Sequence, residues 1–361
     1  MAGPTPGGGA ADPEAGPALV ARLYPFLTVE RSERPDGVHH EVLLRTISQC
    51  NEACPFCSGP KHHRPDTSLV LDALSAVSTH LPGALVSLTG GEPTLKPGLL
   101  DEVRYALGLP GVGRVQVQTN ATRLQGALAP ARWPRDPRLS FFVSLHAVDA
   151  ARYDAITGSR GLLPAALEGL AGLTALGHAV TVNTVVTDRN KDHLEAIADA
   201  VAALPTAAAA GGDARGGPGT PRWHLSVLMC PEQSPGAAAL LVPYTELVPR
   251  LVAAVTYAQE LELPVDSLLS STHASIPACL APAPDRATAT RYAVAGASPL
   301  EPAAPAASTE GAETGYEDVP AHRGRPWVKA ARCRACPEDA RCLGVPAPYA
   351  ARFGLDELSP L

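Results

Sequence analysis

Cys50-Asn51-Glu52-Ala53-Cys54-Pro55-Phe56-Cys57 is the stretch on which the reading of this chain turns. Three residues separate the first two cysteines and two separate the last two. Three thiolates on one short loop can hold a metal cluster but cannot close it, because a four-iron cluster normally takes four cysteine ligands. With no fourth cysteine nearby, the spacing points to an iron left open for another ligand. An open metal position marks a catalytic site rather than a structural one. A zinc site is the competing reading, with His62 or His63 downstream as the fourth ligand.

Around this loop, short β-rich apolar runs alternate with longer Ala/Leu-rich helical runs. The strand candidates are 42–46, 84–89, 115–119, 141–145, 180–186 and 225–229, and the helix candidates are 68–81, 97–107, 163–176 and 193–204. Strands alternating with helices imply parallel βα units joined by right-handed crossovers. The fold class expected from this alternation is α/β, a sheet or barrel; the family resemblance and the C-terminal cysteines described below imply, more narrowly, a partial (β/α)6 TIM-like barrel with a small C-terminal iron–sulfur extension. Parallel α/β folds work at the C-terminal ends of their strands. The special residues gather there: the cysteine loop after the first strand, Gly90-Gly91-Glu92-Pro93 after the second, Asn120 after the third, Ser144 and His146 at the fourth, and Cys230 after the sixth.

The chain has 361 residues, 45% of them hydrophobic, enough for one large α/β domain plus an appendage. The domains expected are a disordered N-terminal extension (1–38), a core barrel (39–230) and a C-terminal extension (231–361) containing a flexible linker (281–320). A net charge of −7 argues against nucleic acid as a partner. No apolar run reaches the roughly 18 residues of a membrane span, so no membrane association is expected. The Gly/Pro/Ala-rich start lacks a signal pattern, which makes the cytoplasm the expected location. In that compartment, clustered cysteines read as metal ligands before disulfides.

The loop resembles the signature of the radical S-adenosylmethionine (radical SAM) superfamily. Gly90-Gly91-Glu92-Pro93 is similar to that family's segment contacting the methionine amino group. Val117-Gln118-Thr119-Asn120, Val143-Ser144-Leu145-His146 and Tyr153-Asp154-Ala155-Ile156-Thr157-Gly158 resemble its later strand ends. The likeness spans about residues 40–230. It implies a [4Fe–4S] cluster on Cys50, Cys54 and Cys57, with S-adenosylmethionine on the open iron. Reductive cleavage would give a 5′-deoxyadenosyl radical that abstracts a substrate hydrogen, fed by an external one-electron reductant of flavodoxin or ferredoxin type. Phe56, Gly90, Gly91, Glu92, Pro93, Asn120, Ser144 and Asn183 are then candidates for holding S-adenosylmethionine. Glycines let a backbone approach a ligand closely, and a carboxylate accepts from an ammonium.

Cys279, Cys333, Cys336 and Cys342 form a second group. Four cysteines with one two-residue gap read as a closed metal site, either zinc or iron–sulfur. The Cys-x2-Cys-x5-Cys spacing resembles the second half of the SPASM extension of peptide-modifying radical SAM enzymes. It departs from that pattern at Pro346, where a further cysteine is absent, and in lacking the first-half Gly-x4-Cys element. One auxiliary [4Fe–4S] cluster in a shortened, twitch-like extension is therefore expected. Cys230 stands alone: a buried inert cysteine, or a catalytic group at a strand mouth. His146 is a second catalytic candidate. Oxidative modification or crosslinking of a peptide is the first functional expectation. Oxidation of a small molecule, such as an alcohol on a sugar-like substrate, is the second. A non-enzymatic electron-transfer or zinc-binding protein is the third.

Overall fold

The computed structural model describes residues 15–34, 37–57, 65–207, 219–228, 234–266, 276–280, 316–318, 327–337, 339, 342 and 344–361. Cys230, His62, His63 and most of 281–320 lie outside them. The chain opens with α1 (Ala15–Leu23) and a hairpin of β1 (Leu27–Arg34) and β2 (Gly37–Ile47). There follow α2 (Thr67–His80), β3 (Ala84–Gly90), α3 (Leu99–Gly108), β4 (Val112–Thr119), β5 (Leu139–Ser144), α4 (Ala150–Thr157), α5 (Leu163–Ala175) and β6 (Ala179–Val186). Next come α6 (Leu194–Ala202), β7 (Arg222–Val227), α7 (Tyr244–Glu260) and β8 (Val265–Asp266). Short strands β9 (Tyr316–Asp318), β10 (Trp327–Val328) and β11 (Val345–Pro346) precede α8 (Ala347–Phe353).

From β8 to β2 the strands lie side by side in chain order, all parallel; β1 adds antiparallel to β2, and β9 parallel to β1. An unreversed order with crossovers of one hand puts the connecting helices on one face, the winding of a barrel, here left open between its edge strands β8 and β9. Burial follows the period-two alternation this demands. Val86 and Leu88, Val115 and Val117, Phe141 and Val143, Trp223 and Leu225 are buried, while the alternate Gln116, Phe142 and His224 are half-exposed; Ser87, on β3, is the exception and is buried. Each fully buried large side chain contributes roughly 1.5–3 kcal/mol. Trp223 also satisfies its indole N–H on Thr184 Oγ1 at 3.0 Å.

Two helices begin at a side-chain cap that the sequence supplies. Asp66 accepts from Leu69 N at the start of α2, and Asp149 from Arg152 N at the start of α4. The first cap returns the chain from the segment after Cys57, and the second sets α4 over the strand mouths.

Two expected boundaries are corrected. Residues 1–38 are not irregular throughout, because α1 and β1 bury Val20, Ala21, Leu27 and Val29 in the core. Below residue 15 composition is biased toward Gly, Pro and Ala, but beyond it there is enough apolar area to fold. The barrel does not stop at 230 either. Helix α7 buries Leu247, Leu251 and Ala258, and β8 extends the sheet beyond β7. At the C-terminus, Tyr349 of α8 packs on Tyr244, with ring centroids 4.5 Å apart, and its hydroxyl accepts from Tyr244 N at 2.7 Å.

Candidate cysteine-loop active site

The loop 48–57 leaves the C-terminal end of β2 at the mouth of the sheet. Its approach is tied to the end of β3: Gly91 N donates to Ile47 O at 2.6 Å, and Glu92 N to Gln49 O at 2.8 Å. That proximity explains the glycine pair. A Cβ on Gly90 would sit 2.0 Å from Ile47 O, and one on Gly91 would sit 2.2 Å from Gln49 O. Gly90 also has φ 135°, a region L side chains avoid. The structure therefore gives the glycines a different cause from ligand approach: two strand ends pass too closely for any side chain.

Glu92 is 1% exposed. Its Oε1 accepts from Thr94 N at 3.0 Å, Thr94 Oγ1 at 2.5 Å and Thr119 Oγ1 at 2.6 Å; Oε2 accepts from Asn120 N at 2.7 Å. Burial pushes this carboxyl upward, and the Asn120, Thr119 and Thr94 donors oppose it. Glu92 thus ties the ends of β3 and β4 together, and Oε2 keeps one lone pair for a further donor. Pro93 is buried at the start of a short 3-10 turn, where its fixed φ suits the first position.

Asn120 is committed to the cysteine loop. Its Nδ2 donates to Asn51 Oδ1 at 2.9 Å, its Oδ1 accepts from Thr122 Oγ1 at 2.8 Å, and Asn51 Nδ2 donates to Thr122 Oγ1 at 2.8 Å. From the other side, α4 holds the loop's middle: Ala53 N donates to Thr157 O at 2.7 Å, and Tyr153 Oη donates to Glu52 Oε1 at 2.6 Å. Ser234 Oγ donates to Cys57 O at 2.6 Å. Asn51, Glu52, Ala53, Thr122 and Ser234 escape a sequence reading centred on the cysteines; the only signal for the first three is their place between ligands.

Phe56 and His146 meet edge to face, with centroids 5.3 Å apart. His146 is 3% exposed, and its Nδ1 accepts from Val185 N at 3.2 Å. Burial holds its pKa down at about 4, so the ring is neutral at pH 7. These contacts pack His146 beneath the loop and use its Nδ1 to satisfy a backbone N–H. Ser144 is half-exposed at the end of β5. Asn183, on β6 beside it, accepts from Ser226 Oγ at 2.7 Å. Cys230 lies outside the described residues.

The thiols of Cys50 and Cys57 are near enough to Cys54 to act on it electrostatically. Burial pushes the Cys54 thiol up, and Glu52, Cys57 and Cys50 push it further, because neighbouring negative charges disfavour another thiolate. Among the described residues, no three His, Cys, Asp or Glu side chains converge as ligands of one metal ion. One zinc ion would draw its thiolates to about 3.8 Å from each other, given Zn–S bonds of about 2.3 Å.

The four C-terminal cysteines line one cavity with Lys329, Asp339 and the tail residues 358–361. Burial raises Cys279, and Cys333 and Cys336 add to the effect; burial raises Cys342, and Cys279 and Cys333 add to it. Arg332 donates to Leu358 O at 2.5 Å and Leu355 O at 2.6 Å, holding the tail against Cys333. Four thiols, drawn from residues 279 to 342, thus share one cavity.

The radical SAM superfamily model matches residues 44–201. Among curated proteins, the GTP 3′,8-cyclase of Synechococcus elongatus is 35% identical over 133 residues, covering 34% of this chain and 40% of that protein. The GTP 3′,8-cyclase of Tolumonas auensis is 29% identical over 161 residues, covering 43% and 47%. The chain thus spans less than half the length of these relatives. Among solved structures, Streptococcus suis SuiB bound to the precursor peptide SuiA superposes with TM-score 0.51 at 14% identity, covering 63% of this chain and 48% of that one, a likeness of fold alone. Among the described residues, no helix is long and apolar enough to cross a membrane. The family match lies on the strands β2 to β6 and on the cysteine loop at their mouth: residues 44–201 are similar to the radical SAM superfamily.

Proposed function

We propose that this chain is a radical SAM oxidoreductase whose reactive site is the three-cysteine loop. The observation that carries the reading is the incomplete thiol set of Cys50, Cys54 and Cys57, held at the strand mouths by Asn120, Tyr153 and Thr157. These thiols would hold a [4Fe–4S] cluster, and Cys279, Cys333, Cys336 and Cys342 a second one. With S-adenosylmethionine bound, those groups supply reductive cleavage to a 5′-deoxyadenosyl radical, hydrogen abstraction and a sink for a second electron.

The chain's own residues do the holding. Glu92 locks the ends of β3 and β4, and its free lone pair on Oε2 suits an ammonium donor. Ser144 offers a half-exposed hydroxyl at the mouth, and the buried Asn183 beside it offers its amide. Phe56 and His146 close the floor and keep water from beneath the loop.

Oxidative modification of a peptide is the substrate reading supported by the likeness of the Cys333–Cys342 spacing to SPASM extensions. A small-molecule substrate is the second reading, favoured by the curated relatives named GTP 3′,8-cyclase. The test is anaerobic reconstitution with iron and sulfide, then dithionite and S-adenosylmethionine. The reading predicts 5′-deoxyadenosine; iron-loaded protein that makes none refutes it. Repeating the assay with GTP, and with short peptides encoded beside the gene, separates the substrate classes by which one takes up or loses hydrogen.

A further inference from the structure

Each residue between Cys50 and Cys54 has its own anchor. Asn51 is held by Asn120 and Thr122 at the end of β4. Glu52 takes the Tyr153 hydroxyl at 2.6 Å, and Ala53 N donates to Thr157 O at 2.7 Å. Two of the three anchors are on α4, one turn apart, and Thr157 Oγ1 donates to Tyr153 O at 2.8 Å. Gly158 then ends the helix at φ 63°, where a Cβ would meet Ala53 O at 2.7 Å. Helix and loop therefore touch through backbone, side chain and close approach.

Tyr153 is 1% exposed. If the loop swung away, its hydroxyl would be left buried and unpaired, which opposes the motion. The other oxygen of Glu52, Oε2, accepts from Cys54 Sγ at 3.7 Å. One carboxyl group thus joins the buried tyrosine to the middle cysteine. We propose that Tyr153 is a positioning residue for the cysteine loop: by donating to Glu52 it fixes the direction of Cys54 Sγ before any metal arrives. The proposal rests on reading the three cysteines as cluster ligands. Groups that support metal ligands from behind commonly set affinity and orientation in this way.

The test compares Tyr153→Phe, Glu52→Ala and Glu52→Gln by two readouts. The first is maleimide labelling of Cys54 in metal-free protein, resolved by peptide mass spectrometry. The second is iron loss to a chelator after reconstitution. Tyr153→Phe and Glu52→Ala should speed both about tenfold, the worth of one hydrogen bond to a charged group. Glu52→Gln keeps an oxygen acceptor for the tyrosine and should restore rates close to wild type. Wild-type rates in Tyr153→Phe overturn the proposal, even if its melting temperature falls. So does a Glu52→Gln variant as loose as Glu52→Ala. If wild type binds no iron at the loop, the cluster reading fails, while the labelling rates still decide the brace.

Discussion

The two cysteine groups are built in opposite ways. The N-terminal three sit within eight residues of sequence, and their positions are enforced from outside by β3, β4 and α4 through Asn120, Glu92, Tyr153 and Thr157. The C-terminal four are gathered from residues 279 to 342, and the tail that Arg332 pins encloses them. A donor set missing a ligand needs a rigid frame, because nothing on the fourth side holds it. A complete set is closed by its own ligands and needs only enclosure. On the proposed function, the contrast fits chemistry at the first and electron storage or structure at the second.

The severest way to break the comparison is to remove one set at a time. Cys50→Ala/Cys54→Ala/Cys57→Ala should abolish 5′-deoxyadenosine formation while about four irons remain bound per chain if the second site is a [4Fe–4S] cluster. Iron and sulfide counting checks this, and complete loss of iron would leave zinc or nothing at the C-terminal cysteines.

The frame is tested next. Gly90→Ala puts a methyl group 2.0 Å from Ile47 O at a φ of 135°. It should cost on the order of 3 kcal/mol, seen as a lower denaturation midpoint, and should displace the approach to Cys50. An unchanged midpoint would mean that the ends of β2 and β3 are not rigidly apposed.

A smaller effect comes from beneath the loop. His146 is held neutral by burial, with a pKa of about 4 against an ordinary 6.5. The unfolded chain therefore binds the proton more readily, and stability falls as pH drops from 6.5 toward 4. At about 1.36 kcal/mol per unit, that loss is about 3 kcal/mol at most. His146→Asn keeps an acceptor for Val185 N and cannot be protonated near neutral pH. Its stability should lose this part of the acid dependence, measured by denaturant unfolding between pH 4 and 7. Arg332→Ala should do least: the loss of its two carbonyl contacts costs about 1 kcal/mol and should speed labelling of Cys279 without changing Cys54.

Much of this architecture was legible because its signals are local. Short apolar runs marked β3 to β7 to within three residues of their observed ends and the later half of β2, and the helical runs marked α2, α3, α5 and α6 but not α4 or α7. The cysteines and Gly90-Gly91 announced the mouth. What was not legible depends on partners distant in sequence. Strands β1 and β8 are edge elements defined by pairing, and α1 follows a start whose composition reads as irregular. The glycine pair was readable as special but not for its cause, since only the folded chain brings Ile47 O and Gln49 O against it. Glu52 and Tyr153 lie 101 residues apart in sequence, so their pairing exists only once α4 crosses the loop. His146 stood out by its strand-end position, but its hydrogen bond to Val185 N was not legible there.

The central claim is that the loop set has a free coordination position and the C-terminal set does not. Electron paramagnetic resonance of the reduced protein tests this most directly, in two variants that each keep one set. With only Cys50, Cys54 and Cys57 retained, adding S-adenosylmethionine should change the cluster spectrum. With only Cys279, Cys333, Cys336 and Cys342 retained, it should change nothing. A loop-cluster spectrum indifferent to S-adenosylmethionine, or a C-terminal cluster that responds to it, would contradict the account.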